Sequence, residues 1–295
     1  MRTISSIFLI LLLFCSQNYS QINDSTGTEF VFLPSGLNFM PLKAGIDEAK
    51  MGLLYYPSTK NMKVDIGNSF DVFSFQFPES RSELSVGAEF MAYAYVTSFL
   101  QYRLQIDAID GFFGGNVTYS KKEDEGRLVA RFRYIHSSAH LVDGHWDAVN
   151  GVWRYGDKPA AYGNNYGEIL LAKEDDVLRG SLLYYGGTAM STGKNTGGRD
   201  LKRFAYKAGL QFQQEDLIGK ILGRSESVFA AVNLDIKGIP EYIVNQNYML
   251  GIKMGKWEGK GILFYLSYYN GGDVFNQYFN RRVSRFGAGF FFDFL

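Results

Sequence analysis

All three histidines of this 295-residue chain fall within ten positions, at His136, His140 and His145, and Ser138 stands two residues after the first of them. Side chains two apart on a strand share a face, so an extended segment would set His136 and Ser138 side by side. A neutral imidazole there could take the hydroxyl proton and make Ser138 a nucleophile for acyl transfer. Asn165 lies on the outward parity of Ile169 and Leu171 in a later segment, where it could orient the ring as the third member of a triad does. A metal site is the weaker use of the same residues. His136, His140 and His145 are its candidates, and the first two would share a face only on a helix. Here the context reads as a strand running into a loop, where Asp143 and Asp147 could join them. No metal and no cofactor is favoured. In the plainest reading Tyr134, His136, Trp146 and Trp153 are interfacial girdle residues, each with an apolar body and a wet tip.

The elements that must position these residues read as strands. Apolar side chains recur at every second position in Leu84–Val96, Leu128–Tyr134, Phe204–Phe212, Val228–Ile236, Tyr248–Met254, Ile262–Tyr268 and Phe286–Phe294. Weaker alternation covers 51–56, 63–77, 110–120, 166–172 and 177–186. That makes about twelve strands, an even number, as bacterial single-chain barrels have. The opposite face of these segments carries Gly, Ser, Asn, Gln and scattered charges, which suits a lumen better than the solvent side of a sandwich. The expected fold class is therefore all-β, an antiparallel transmembrane barrel of about twelve strands over residues 50–295. Lumen charges are expected at Glu89, Arg127, Arg131, Arg133, Arg179, Lys207, Asp235, Lys253 and Arg285. They would form either a salt-bridged filling or a selective pore. The strand that leads to His136 and Ser138, Leu128–Tyr134, would run outward to an extracellular loop at about 140–163.

Composition agrees. The chain has 20 Tyr, 25 Phe and 33 Gly, and its six prolines all fall at or between strand ends, where a missing N–H is tolerated. Zero net charge gives nucleic acid no electrostatic footprint. Met1-Arg2, the apolar run Ile7–Phe14 and the polar stretch Cys15–Ser20 read as a secretory signal peptide over 1–20. The one cysteine, Cys15, would leave with it, so the mature chain would have no disulfide or thiol chemistry. Residues 21–49 read as a periplasmic leader or plug.

Several segments together resemble an uncharacterised Gram-negative outer-membrane family of unknown function, domain family twelve-oh-seven. They are Phe32-Leu33-Pro34-Ser35-Gly36 with Pro41-Leu42, Lys50-Met51-Gly52, Arg133 to Leu141 with Asp143, Tyr268-Tyr269-Asn270-Gly271, and Arg282-Val283 leading into the terminal strand. The resemblance implies a barrel and an outer-membrane address, and no activity. Tyr134, His136 and Ser138 are also similar to the His-x-Ser motif of outer-membrane phospholipase A and lipid A deacylase. Those families carry Asn after the serine, and this chain has Ala139.

Two functions follow. A non-enzymatic narrow pore or structural barrel needs no residue in special geometry. The alternative is a lipid esterase or deacylase that uses a membrane-facing Ser-His pair at the outer leaflet. The expected partners are outer-membrane lipids and, through the C-terminal strand, the barrel-assembly machinery.

Overall fold

The computed structural model describes residues 22–23, 27–99, 103–192, 201–221, 223–238 and 241–294. The expected signal peptide and Cys15 lie outside the described residues.

Twelve antiparallel strands close on themselves: β1 (Met51–Tyr56), β2 (Asn61–Phe77), β3 (Ser82–Phe99), β4 (Arg103–Glu123), β5 (Gly126–Leu141), β6 (Tyr162–Val177), β7 (Gly180–Ser191), β8 (Phe204–Glu215), β9 (Glu226–Gly238), β10 (Tyr242–Met254), β11 (Gly261–Gly272) and β12 (Arg282–Asp293). Each pairs with its sequence neighbours, and β12 pairs with β1 through Ala288↔Tyr55 to Phe292↔Met51. A 12-residue strand such as β11 is about 40 Å long at ~3.3 Å per residue. Tilted by roughly 40°, it rises about 30 Å, the thickness of a bilayer's hydrocarbon core.

The alternation sorts side chains as the sequence implies. Phe90, Phe113, Phe132, Ile169, Leu210, Leu250, Phe264 and Phe286 are exposed on the outside. Met91, Phe112, Arg133, Leu170, Phe229 and Leu263 are buried inside. An apolar exterior on a closed cylinder matches hydrocarbon, because each wall strand pairs with a neighbour on both sides, β12 with β1 over five residue pairs. One expected lumen charge is misplaced. Arg179 is exposed on the two-residue turn between β6 and β7, beyond the strand end, where Leu178 adopts φ 55°. Alternation read through a turn no longer reports a face.

The first wall position is divided. Below β1, the short strand Glu29–Phe32 pairs with the lower half of β2, Glu29↔Gln76 to Phe32↔Phe73, and runs in the same direction as β1. Phe30 and Phe32 pack against Phe73 with ring centroids 6.0 and 5.7 Å apart. Between these two wall segments the chain leaves the sheet and enters the lumen. Asn38, Leu42, Lys43, Ala44, Glu48 and Ala49 are all buried there. Asn38 reaches the end of the barrel that carries both ends of the described chain, donating to the Glu83 and Thr118 carbonyls at 3.3 and 3.1 Å. Lys43 Nζ meets Asp293 at 3.1 Å, and Asn247 Nδ2 donates to the Ala44 carbonyl at 2.7 Å.

Candidate functional site: a polar constellation on the barrel exterior

β5 and β6 are antiparallel, with Asn165 directly across from His136 and Gly163 across from Ser138. On its other side β5 faces β4, with Phe113 across from His136 and Gly111 across from Ser138. Outward parity holds along the run. Phe132 and Tyr134 are exposed and Ile135 is fully buried, so His136 and Ser138 continue the outer row. All three expected catalytic residues therefore share the outer face at the end of the barrel opposite the termini.

His136 Nδ1 lies 2.6 Å from Asn165 Oδ1. An amide oxygen only accepts, so in the neutral imidazole Nδ1 carries the proton and Nε2 has the free lone pair, the tautomer a general base needs. The Phe113 ring packs against the imidazole with centroids 5.2 Å apart. Ser138 sits in a notch, since both of its cross-strand neighbours are glycine. A Cβ at Gly163 would meet only His136 Cε1, at 4.0 Å, and one at Gly111 would meet the Met91 carbonyl at 3.3 Å. Among the described residues Ser138 Oγ has no hydrogen-bond partner, His136 included. A Ser-His bond therefore requires one of the two side chains to turn, and apo sites commonly show such a bond open.

The three histidines do not converge. His140 follows His136 on the outer row four residues on, roughly 13 Å away on a strand. His145 is buried in the loop joining β5 to β6, residues 142–161, where Nε2 lies 2.9 Å from both the Arg154 carbonyl and Asp157 Oδ2. Its Nδ1 faces the Tyr278 hydroxyl at 3.3 Å, which ties this loop to the one joining β11 to β12. Asp147 accepts from Asn150 Nδ2 at 2.7 Å within its own hairpin. Among the described residues no group of three metal-ligating side chains comes together.

Inside, the other expected charges form a network. Arg131 clamps Glu48 with two bonds, Nη1 to Oε2 at 2.9 Å and Nη2 to Oε1 at 2.6 Å. Arg133 adds Glu48 at 3.1 Å, Glu89 at 3.3 Å and Glu168 at 3.6 Å, and Lys207 meets Glu168 at 3.0 Å. Asp235 is buried and accepts from Asn233 at 2.6 Å. Arg127 pairs with Glu174 at 2.7 Å, Lys253 with Asp293 at 2.6 Å and Arg285 with Asp273 at 2.7 Å. Burial works to raise the Glu48 carboxyl, but Arg131 and then Arg133 outweigh it and hold it below the usual carboxylate range. Sequence reasoning missed Asp47, Glu48, Glu168 and Lys237. The first two belong to a segment with no period to read. Glu168 and Lys237 follow from the parity of Leu170 and Asp235.

No family model matches the chain, and no curated protein does. Among solved structures, the beta domain of the Bordetella autotransporter BrkA is similar over 82% of this chain and 96% of that one, at 12% identity and a TM-score of 0.38.

Proposed function

We propose that this is an outer-membrane barrel that hydrolyses lipid esters at the outer leaflet, on its own lipid-facing surface. One observation carries the reading: the 2.6 Å bond that fixes the His136 tautomer, next to a serine flanked by glycines. A His-Asn pair on a surface otherwise adapted to hydrocarbon is costly to keep there without use. A lipid would arrive by lateral diffusion, lay its chains along Phe113, Phe132 and Tyr134, and bring its ester carbonyl into the notch. Ser138 Oγ attacks the carbonyl carbon as its proton passes to His136 Nε2. The imidazolium returns that proton to the leaving alkoxide, and the acyl-serine is cleaved by water through the same base. Asn165 holds the ring throughout.

This family of reactions also explains the similarity of Tyr134, His136 and Ser138 to outer-membrane phospholipase A and lipid A deacylase, with Ala139 as the departure. The wider resemblance to domain family twelve-oh-seven carries the address without an activity. We take the C-terminal strand, Phe-rich and closing against β1, as the segment read by the assembly machinery. The non-enzymatic reading rests on the open Ser138 Oγ. The deciding experiment incubates the purified, folded protein with phospholipid or lipopolysaccharide and measures free fatty acid. Release that is lost in Ser138→Ala supports the hydrolase. No release from a folded barrel returns the protein to a structural or pore role.

A further inference from the structure

The lumen is packed by wall side chains and by the inserted segment, whose acidic residues stand where cations converge. Glu48 is embraced by Arg131 and Arg133, with Lys207 at 3.8 Å. Asp47 pairs with Lys237 and accepts from Arg133 Nη2 through its carbonyl, at 2.9 Å. Without Asp47 and Glu48, that part of the lumen holds Arg131, Arg133, Lys207 and Lys237 against Glu89, Glu168 and Asp235, which lies directly across from Lys207. Four cations then face three carboxylates, and one of the cations is a guanidinium whose two-pronged partner has gone. On the side away from the termini a cavity of about 100 Å³ leads down to the same place, lined by Tyr93, Tyr162, Tyr166, Lys207, Lys237 and Asp47. Asn164 also lines it, 7% exposed, with its Oδ1 unpartnered. A solute entering from outside thus meets the Lys237–Asp47 pair first, with Lys207 buried beyond it.

We infer that the lumen is an anion-selective conduit, and that Asp47 and Glu48 are built-in blockers occupying the positions of a permeant carboxylate or phosphate. This does not depend on the exterior hydrolase. The inserted segment supplies Arg131 with its shortest carboxylate contact and pairs Lys237, where a purely structural filling does best with charge balanced within the wall itself. Small inorganic phosphate and chloride are the fitting probes. Anion selectivity from rings of Arg and Lys is the physics of anion pores generally.

The test is electrical, on the full chain in planar bilayers. Asp47→Asn/Glu48→Gln should open steps that the unaltered protein lacks, with reversal potentials in a KCl gradient showing a several-fold preference for chloride. Added inorganic phosphate should reduce that current. Because two buried substitutions could harm folding, heat-modifiable gel migration is checked first. As a second arm the unaltered protein is recorded in urea below the barrel's unfolding range, which should release the segment and give the same chloride preference. Cation-preferring or unselective currents in either arm overturn the inference. So does a folded double variant that stays closed, together with silence in urea.

Discussion

Asn165 gives the sharpest test at the scale of single residues, because its amide would bear on the proposed chemistry only through His136. Removing the amide frees the ring to flip and to lose its tautomer. Asn165→Ala is therefore expected to lower kcat for lipid hydrolysis roughly 10- to 100-fold, the usual cost of losing an orienting partner, while KM stays near its original value. Steady-state kinetics on mixed micelles would show it, and a change in KM alone would refute the orienting role. Arg133 makes a different kind of contribution. It is fully buried among Glu48, Glu89 and Glu168. Arg133→Ala leaves those carboxylates uncompensated and should destabilise the barrel by about 3–5 kcal/mol, read from urea unfolding in detergent. Parity made His136, Ser138 and Asn165 legible as one outer-face group, and it placed Arg131 and Arg133 inside. It failed at Arg179, where a turn interrupts the alternation. It was silent on Glu48, whose neighbours follow no strand period.

Among elements, the inserted segment between Phe32 and Met51 matters most. Its ion pairs set a pH range. Glu48 is held below its ordinary value of 4.5, so its carboxylate contributes fully above that pH. The contribution is lost only as pH falls through the lower value in the folded protein. Seating of the segment should accordingly persist down to about pH 4.5 and weaken below it. Trp257 reports on this directly, since Lys43 Nζ lies 5.3 Å from its ring and Ala44 packs in the same cluster. A change in Trp257 emission near neutral pH, in a variant with Trp146 and Trp153 replaced by Phe, would contradict the expectation. The notch in β6 offers a second test. A side chain at Gly163 has open space on the lipid side, so Gly163→Leu should preserve folding and fill the room beside Ser138. Lipid hydrolysis should drop sharply while gel migration stays normal. All twelve wall strands stood in the sequence as alternation, even the weak ones. The path of the segment within the lumen did not, because it is fixed by single hydrogen bonds to distant strands.

For the whole molecule, the apolar exterior is the condition for everything else. Leu250, Leu266 and Ala288 form a cross-strand row on the lipid face. An arginine at Leu250 would place charge in hydrocarbon, with a cost of roughly 2–4 kcal/mol at mid-depth. Refolding of Leu250→Arg into vesicles should be impaired, whereas an arginine at the exposed turn residue Val149 should leave it unaffected. Equal behaviour of the two variants would mean that the band does not contact lipid. The loops on the side away from the termini, locked by His145, Tyr278 and the Arg281–Asp157 pair, were visible in the sequence only as length.

The division of the first wall position has a mechanical corollary. Whatever leaves the lumen is stitched into the sheet at both ends, by Glu29–Phe32 on one side and Met51–Tyr56 on the other. Such a stretch of chain cannot drift off as a separate body. It can only swing out as a hairpin on two anchors, so its carboxylates stay at high local concentration near their arginines and reseating is a unimolecular event. A barrel built this way would reset itself after every opening, without a partner protein to push the stopper home.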